Sequence, residues 1–134
     1  MVIKKSFKLF PLILCLLLTG CHAPPTEKSK LVTEISVEVR QGTDILHRRY
    51  TDPQKMEVIL SYLRAMEGRD HSCSDPERYA GPRYRMELHY SDGSTGYVFQ
   101  HADRFLSRDF HPWQEINTAH GAFLLPLIKN MAND

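Results

Sequence analysis

The sequence RYRMELHYSDGSTGYVFQH, residues 83–101, contains two runs of alternating residue types that meet at Asp92-Gly93. An Asp-Gly dipeptide between such runs favours a two-residue type I′ turn, whose twist suits the two strands of a β-hairpin. The segment therefore predicts antiparallel strands over residues 83–91 and 94–101. This hairpin is the strongest structural signal in the chain.

The turn also sets the predicted register, with Leu88 opposite Tyr97 and Met86 opposite Phe99. One face of the hairpin then holds the more apolar side chains, which are Met86, Leu88, Tyr90, Thr95, Tyr97 and Phe99. The other face holds Arg85, Glu87 and His89 with Gly96, Val98 and Gln100. An antiparallel sheet that is covered on one side has this division.

Two further strands and a helix precede the hairpin. Apolar and polar residues alternate over 31–40, which predicts a half-buried strand. Residues 41–44 are typical of a turn, and residues 45–51 should return antiparallel. Asp52-Pro53 then supplies an N-cap and a first helical residue. The helix that follows has one apolar stripe, formed by Met56, Ile59, Leu60, Leu63 and Met66.

After the hairpin, residues 104–107 predict a short strand, and the chain from Pro112 onward predicts a short helix followed by a longer one. Gly121 and Pro126 weaken this helical region. The predicted element order is β-β-α-β-β-(β)-α. It indicates an α+β two-layer sandwich, with an antiparallel sheet of four to five strands and two main helices on one face. Residues 31–134 are expected to form this single domain.

The N-terminal residues have the three parts of a secretory signal. Three lysines precede the apolar run Leu9–Leu18, and Leu18-Thr19-Gly20-Cys21 follows. This tetrapeptide resembles the lipobox of bacterial lipoproteins. The resemblance covers about the first 21 residues and implies removal of residues 1–20 and attachment of diacylglycerol to Cys21. The alternative is an ordinary cleaved signal in which Cys21 is an incidental thiol.

Residues 21–30 are short, polar and proline-bearing, which is typical of a tether. Acylated Cys21 would thus hold the domain against a lipid bilayer outside the cytoplasm. The bilayer would be the bacterial cell membrane, or the outer membrane if the organism has two membranes. Through its Tyr90-Ser91-Asp92-Gly93 hairpin and its predicted tryptophan-led terminal helix, the domain resembles small envelope lipoproteins of unknown function.

Cleavage before Cys21 would remove three lysines and change the formal net charge from +1 to −2. The mature chain has no long run of one charge sign, which argues against a nucleic-acid partner. Cys15 would leave with the signal and Cys21 would be acylated, so Cys73 would have no partner within the chain. We therefore expect a fold that depends on its core.

The loop 69–82 contains one candidate metal site, because His71, Cys73 and Asp75 all have ligand-type side chains. Their spacing matches no common zinc pattern, and a simple polar loop is the alternative. Cys73 could also be a nucleophile, a redox thiol or an intermolecular disulfide partner. A second candidate set for a metal or for acid–base chemistry consists of His101, Asp103 and His111. The alternative is that these residues cap and hydrogen-bond the ends of helices and strands.

The polar face of the sheet is a candidate partner surface, centred on Arg85, Glu87 and His89 and joined by Glu34 and Glu38. A charged face that is only solvated is the alternative. The sequence has no nucleophile elbow, phosphate loop, dinucleotide fingerprint or H-E-x-x-H motif. The leading hypothesis is therefore a lipid-anchored, non-catalytic domain that binds an unknown envelope protein and uses no cofactor. The alternatives are a small metal-binding protein or hydrolase, and a structural lipoprotein that dimerises through Cys73.

Overall fold

The computed structural model describes residues 30–66, the backbone of residues 72–73, and residues 75–134. One antiparallel sheet of seven strands forms the fold, with the strand order β2-β1-β4-β5-β6-β7-β3. The strands are β1 (Val32–Gln41), β2 (Asp44–Tyr50), β3 (Ser72–Cys73), β4 (Arg83–Tyr90), β5 (Thr95–His101), β6 (Phe105–Arg108) and β7 (Trp113–Glu115). The helices are α1 (Pro53–Ala65), α2 (Thr118–Gly121) and α3 (Leu124–Asn130), and a 3-10 turn covers Pro76–Arg78.

The predicted α+β sandwich with four to five strands and two main helices is wrong. The described chain forms seven strands, and only α1, with 13 residues, is a long helix. The helical residues near position 120 divide into α2, with four residues, and α3, with seven. The sheet therefore dominates the fold.

The region after Pro112 was predicted to be helical, but residues 113–115 form β7. This strand pairs with β6 on one side and with β3 on the other. The spacing of Trp113 and Ile116 resembles a helical stripe only by chance. Ile116 is buried in the core, whereas Trp113 is half-buried on a strand between two partners. These residues form a strand because they pair with β6 and β3, and a local sequence pattern does not reveal pairing between distant segments.

The elements before the hairpin are confirmed. β1 and β2 pair antiparallel from Ile35↔Tyr50 to Gln41↔Asp44. Asp52 caps α1 through its side chain, which accepts a hydrogen bond from the Gln54 amide at 2.9 Å, and Pro53 occupies the first turn. This cap satisfies one of the free amides at the start of a helix.

The hairpin is present, but its register differs from the prediction by one residue. Tyr90 N–H donates to the Ser94 carbonyl at 2.9 Å, and Gly93 N–H donates to the Tyr90 carbonyl at 3.0 Å. Gly93 has φ +85°, while Asp92 is not among the residues with positive φ. The connection is thus a three-residue loop ending in a left-handed glycine, and not a type I′ turn.

This loop pairs Leu88 with Gly96 and Met86 with Val98. Since side chains alternate along a strand, a shift of one residue exchanges the two faces of β5. Tyr97 and Phe99 therefore lie beside Arg85 and not beside Met86. We call the side of the sheet that holds Met86 the inner face, and the side that holds Arg85 the outer face.

The core lies between the inner face and the helices α1 and α3. The sheet contributes its buried apolar residues, which are Ile35, Val37, Val39, Tyr50, Tyr84, Met86, Leu88, Val98 and Leu106. The helices contribute Met56, Ile59, Leu63, Leu124 and Ile128. Burial of each such side chain stabilises the fold by roughly 1.5–3 kcal/mol before the cost in conformational entropy.

Asp134 ties the end of the described chain to the corner between β2 and α1. Its carboxylate accepts hydrogen bonds from the amides of Thr51 at 2.6 Å and Asp52 at 2.7 Å. The Lys55 ammonium lies 2.5 Å from the same carboxylate. The ammonium and the two amides hold the pKa of Asp134 well below its usual range.

Candidate binding surface on the outer face of the sheet

The outer face brings together the three residues predicted to form a partner surface. Arg85 lies opposite Glu38, Glu87 opposite Ser36, and His89 opposite Glu34 across the β1–β4 pair. On its other side, β4 pairs with β5 in the shifted register. Phe99 therefore lies beside Arg85, Tyr97 beside Glu87 and Thr95 beside His89. The outer face thus carries charged residues next to a strand of aromatic ones.

The charged residues on the outer face neutralise one another in pairs. Arg49 binds Glu34 at 2.9 Å, and Arg40 binds Glu38 at 2.6 Å. These hydrogen bonds from arginine lower the pKa of both glutamates. Exposed pairs of this kind contribute little to stability, typically about 0.2–1 kcal/mol. Their effect here is a face that presents charges without a strong net sign.

Arg85 and His89 both contact Glu87. The Arg85 guanidinium donates to the Glu87 carboxylate at 2.9 Å, and His89 Nε2 lies 3.6 Å from the same carboxylate. The guanidinium carbon also lies 5.8 Å from the centre of the Tyr97 ring. Arg85 therefore connects the charged part of the face to the aromatic part, in the arrangement of a cation–π contact.

Three aromatic rings form a cluster at the surface beside Arg85. Tyr97 and Phe99 are nearly parallel neighbours on β5, with ring centres 6.5 Å apart. Phe110, from the connection between β6 and β7, lies 5.3 Å from each of them at a tilt near 50°. Phe110 is nevertheless 73% exposed. We call Tyr97, Phe99 and Phe110 the aromatic cluster.

The backbone that presents Phe110 is strained. Asp109 and Phe110 have φ values of +49° and +62°, and the His111 amide donates to the Arg108 carbonyl at 2.9 Å. This is a tight turn with two left-handed residues, a conformation that costs a side-chain-bearing residue roughly 1–2 kcal/mol. A bulky residue at such a position is rare and often marks a functional site.

Neighbouring hydrogen bonds hold this turn against the sheet. Asp109 pairs with Tyr97 in both directions, since its amide donates to the Tyr97 carbonyl and its side chain accepts from the Tyr97 amide, each at 2.8 Å. The Ser107 hydroxyl donates to the His111 carbonyl at 2.6 Å. The turn that carries the exposed Phe110 is thus held on both sides.

A groove of about 530 Å³ continues from the aromatic cluster toward β7. Phe99 and Arg85 line its near end, and Trp113 lines its far end. The segment 75–77 forms a wall, and Pro76 in this wall is buried. The volume lies within the range of about 300–1,000 Å³ that is common for ligand sites.

His101, from the predicted metal or acid–base set, is buried beside the groove. Its Nε2 lies 2.6 Å from the Tyr79 carbonyl oxygen, which can only accept, so this nitrogen carries the proton in that contact. Its ring also meets Trp113 edge-on at 6.4 Å. In the described chain, no hydrogen bond or ion pair joins His101 to Asp103 or His111, which are both exposed.

Of the ligands predicted in the loop 69–82, only Asp75 has a side chain that the structure describes. Asp75 is exposed at the groove wall, and Cys73 is described only as backbone, paired with Trp113 at the sheet edge. His71 and the lipidation site Cys21 lie outside the described residues. Within residues 30–66 and 75–134, no three histidine, cysteine or acidic side chains are grouped as metal ligands would be.

Comparisons with protein-family models, with curated proteins and with solved structures find no match to this chain. Among the described helices, none has the length and the apolar composition needed to cross a bilayer.

Proposed function

We propose that the protein is a lipid-anchored lipoprotein outside the cytoplasm, and that its domain binds another envelope protein without catalysing a reaction. The lipobox-like Leu18-Thr19-Gly20-Cys21 supports the anchor. The absence of known catalytic motifs from the sequence supports a binding role. Since nine residues span at most about 30 Å, a domain tethered at Cys21 would meet its partner close to the bilayer.

The observation that carries the binding proposal is the position of Phe110. A domain selected only for stability would gain little from a bulky, mostly exposed residue in a left-handed conformation. Burial of that ring by a partner would recover roughly 1.5–3 kcal/mol. The strain and the exposure both favour a ring that is held ready for contact.

The neighbours of Phe110 fit the composition of protein interfaces. Aromatic residues and arginine are enriched at the centre of such interfaces and carry much of their binding free energy. Tyr97, Phe99 and Arg85 provide both types within one contiguous patch. The paired charges on β1 and β4 would form the polar rim of this interface.

Photocrosslinking in intact cells tests the binding proposal. A photoreactive phenylalanine analogue at position 110 should capture one discrete envelope protein. The same analogue at position 58 is the control, because Val58 is exposed on α1, away from the outer face. Capture from position 58 but not from position 110 would contradict the proposal, as would equal capture from both.

The anchor needs a test of its own. Replacement of Cys21 by alanine should abolish incorporation of labelled fatty acid and release the protein from the membrane fraction. A protein that stays acylated after this change would contradict the assignment of Cys21. Turnover of an envelope substrate by the purified protein, lost on substitution of His101, would instead favour the hydrolase alternative.

A further inference from the structure

Arg48 is an arginine on the inner side of an edge strand. Leu46 and Tyr50, two residues away on either side, both pack against the core. Because side chains alternate along β2, Arg48 points to the same side and is half-buried there. Its neighbour Arg49 points to the outer face, where it forms the ion pair with Glu34.

The guanidinium of Arg48 is poorly satisfied within the described chain. Its Nη1 donates to the carbonyl of the adjacent His47 at 3.3 Å, and its buried Nε has no acceptor among the described residues. No carboxylate from those residues pairs with it either. Among the described residues Nη1 has this one contact and Nη2 has no acceptor, so the guanidinium can still bind an anion through its terminal nitrogens.

A groove of about 240 Å³ opens beside Arg48, between β2 and α3. Its walls are apolar and are formed by Val39, Leu46 and Leu125. Lys129 of α3 brings a second positive charge to the groove, against a single carboxylate from Asp44. The site therefore combines apolar walls with an excess of positive charge.

We propose that this groove binds an anionic group, a carboxylate or a phosphate, that carries an apolar chain. The Arg48 guanidinium would bind the anion, since its planar donors match both oxyanions, and Lys129 would add to the attraction. Leu46 and Leu125 would contact the chain. The site lies on the opposite side of the sheet from the aromatic cluster and does not depend on the proposed protein partner.

Calorimetric titration with decanoate tests this site. The protein is purified in the form that the cell produces and is measured with nanodiscs of a zwitterionic lipid, and the signal of empty nanodiscs is subtracted. Decanoate should bind at a single site, and the variant Arg48→Gln should bind it at least tenfold more weakly. Arg49→Gln, one residue away on the other face, should bind it as the original protein does. Equal affinity in Arg48→Gln would overturn the proposal and leave Arg48 as a charge that only protects the sheet edge.

Two further ligands test the negative charge and the apolar chain of the proposed ligand separately. Decyltrimethylammonium, which has the same chain and the opposite charge, should give no signal above that of empty nanodiscs, and equal binding would overturn the role of Arg48. Inorganic phosphate should bind more weakly than decanoate, and equal affinity would overturn the apolar part of the site.

The source of the anion and the folding of the variant each have their own measurement. Nanodiscs with an anionic lipid should weaken decanoate binding if a lipid headgroup fills the site, and a free amphiphile is indicated if they do not.

If Arg48→Gln does not fold, Lys129→Glu replaces it, because Lys129 is exposed. Its affinity for decanoate should fall severalfold, and an unchanged affinity would overturn the site.

Discussion

The Tyr62 hydroxyl donates a hydrogen bond to Gln100 Oε1 over 2.5 Å and so joins α1 to the sheet. Gln100 is only 1% exposed, and its Nε2 donates to the carbonyls of Ala102 at 2.9 Å and Gly121 at 3.1 Å. Burial raises the pKa of Tyr62, which keeps its hydroxyl protonated as a donor. A fully satisfied polar group thus links three elements inside an apolar core.

Replacement of Tyr62 by phenylalanine should destabilise the fold by about 1–2 kcal/mol. The change leaves Gln100 Oε1 buried without its donor, and an unsatisfied buried acceptor costs this much. Tyr97→Phe is the matched control, since the Tyr97 ring lies on the outer face and its hydroxyl makes no hydrogen bond within the described chain. Equal free energies of unfolding for the two variants, measured by urea denaturation, would contradict this account of the network.

Gly121 should tolerate no larger residue. A Cβ at this position would lie 2.1 Å from the Asp103 carbonyl oxygen, and backbone cannot move aside as a side chain can. Gly121→Ala should cost about 2–3 kcal/mol, at the upper end for overpacking. In the control Gly96→Ala, the Cβ meets the Tyr90 side chain at 3.1 Å, so a smaller loss is expected. A similar melting temperature for both variants would contradict the proposed clash.

Local sequence signals were sufficient to predict a helix or strand where neighbouring residues alone determine it. Asp52-Pro53 and the stripe from Met56 to Leu63 correctly predicted α1. They failed where strands from distant parts of the chain pair. β7 exists because β6 and β3 flank it, and no residue within Trp113–Glu115 encodes those neighbours.

The aromatic cluster was missed because of the hairpin loop. Asp92-Gly93 favours a two-residue turn but is also compatible with a three-residue loop that ends in glycine, and only the latter gives the observed register. The error placed Tyr97 and Phe99 on the core face, so only the charged half of the outer face was predicted. Phe110 carried no turn signal either, because phenylalanine is disfavoured in a left-handed turn.

The hairpin loop should contribute a pH-dependent part of the stability. Asp92 accepts hydrogen bonds from the hydroxyl and the amide of Ser94 and lies 3.0 Å from the Lys30 ammonium. These contacts lower its pKa from 3.8 to about 2. Because the pKa of Asp92 is lower in the folded state than in the unfolded state, its stabilisation of the fold is present above pH 3.8. This stabilisation is lost as the pH falls toward about 2.

Asp92→Asn should therefore flatten the acid limb of the stability curve. Thermal unfolding between pH 5 and pH 2 would show a smaller fall in melting temperature for the variant than for the original protein. Asp44→Asn is the control, because Asp44 is exposed and forms no ion pair within the described chain. An acid limb that is identical in all three proteins would exclude Asp92 as a source of the pH dependence.

Phe110 allows the cost of strain to be separated from the loss of the ring. Alanine and glycine both remove the aromatic contacts, but only glycine adopts φ +62° without penalty. Phe110→Gly should therefore be more stable than Phe110→Ala by about 1 kcal/mol. In an ordinary helix or strand the order is reversed, with alanine favoured. Urea denaturation that finds alanine more stable would contradict the strained turn.

The variant Phe110→Gly also separates stability from binding. If Phe110 is held in strain to meet a partner, the photoreactive analogue placed at Thr95, near the aromatic cluster, should capture that partner in the original protein. It should fail in Phe110→Gly, although that variant has the less strained backbone. Capture that survives in Phe110→Gly would show that the ring makes no contribution to binding, and the strain at position 110 would then need another explanation.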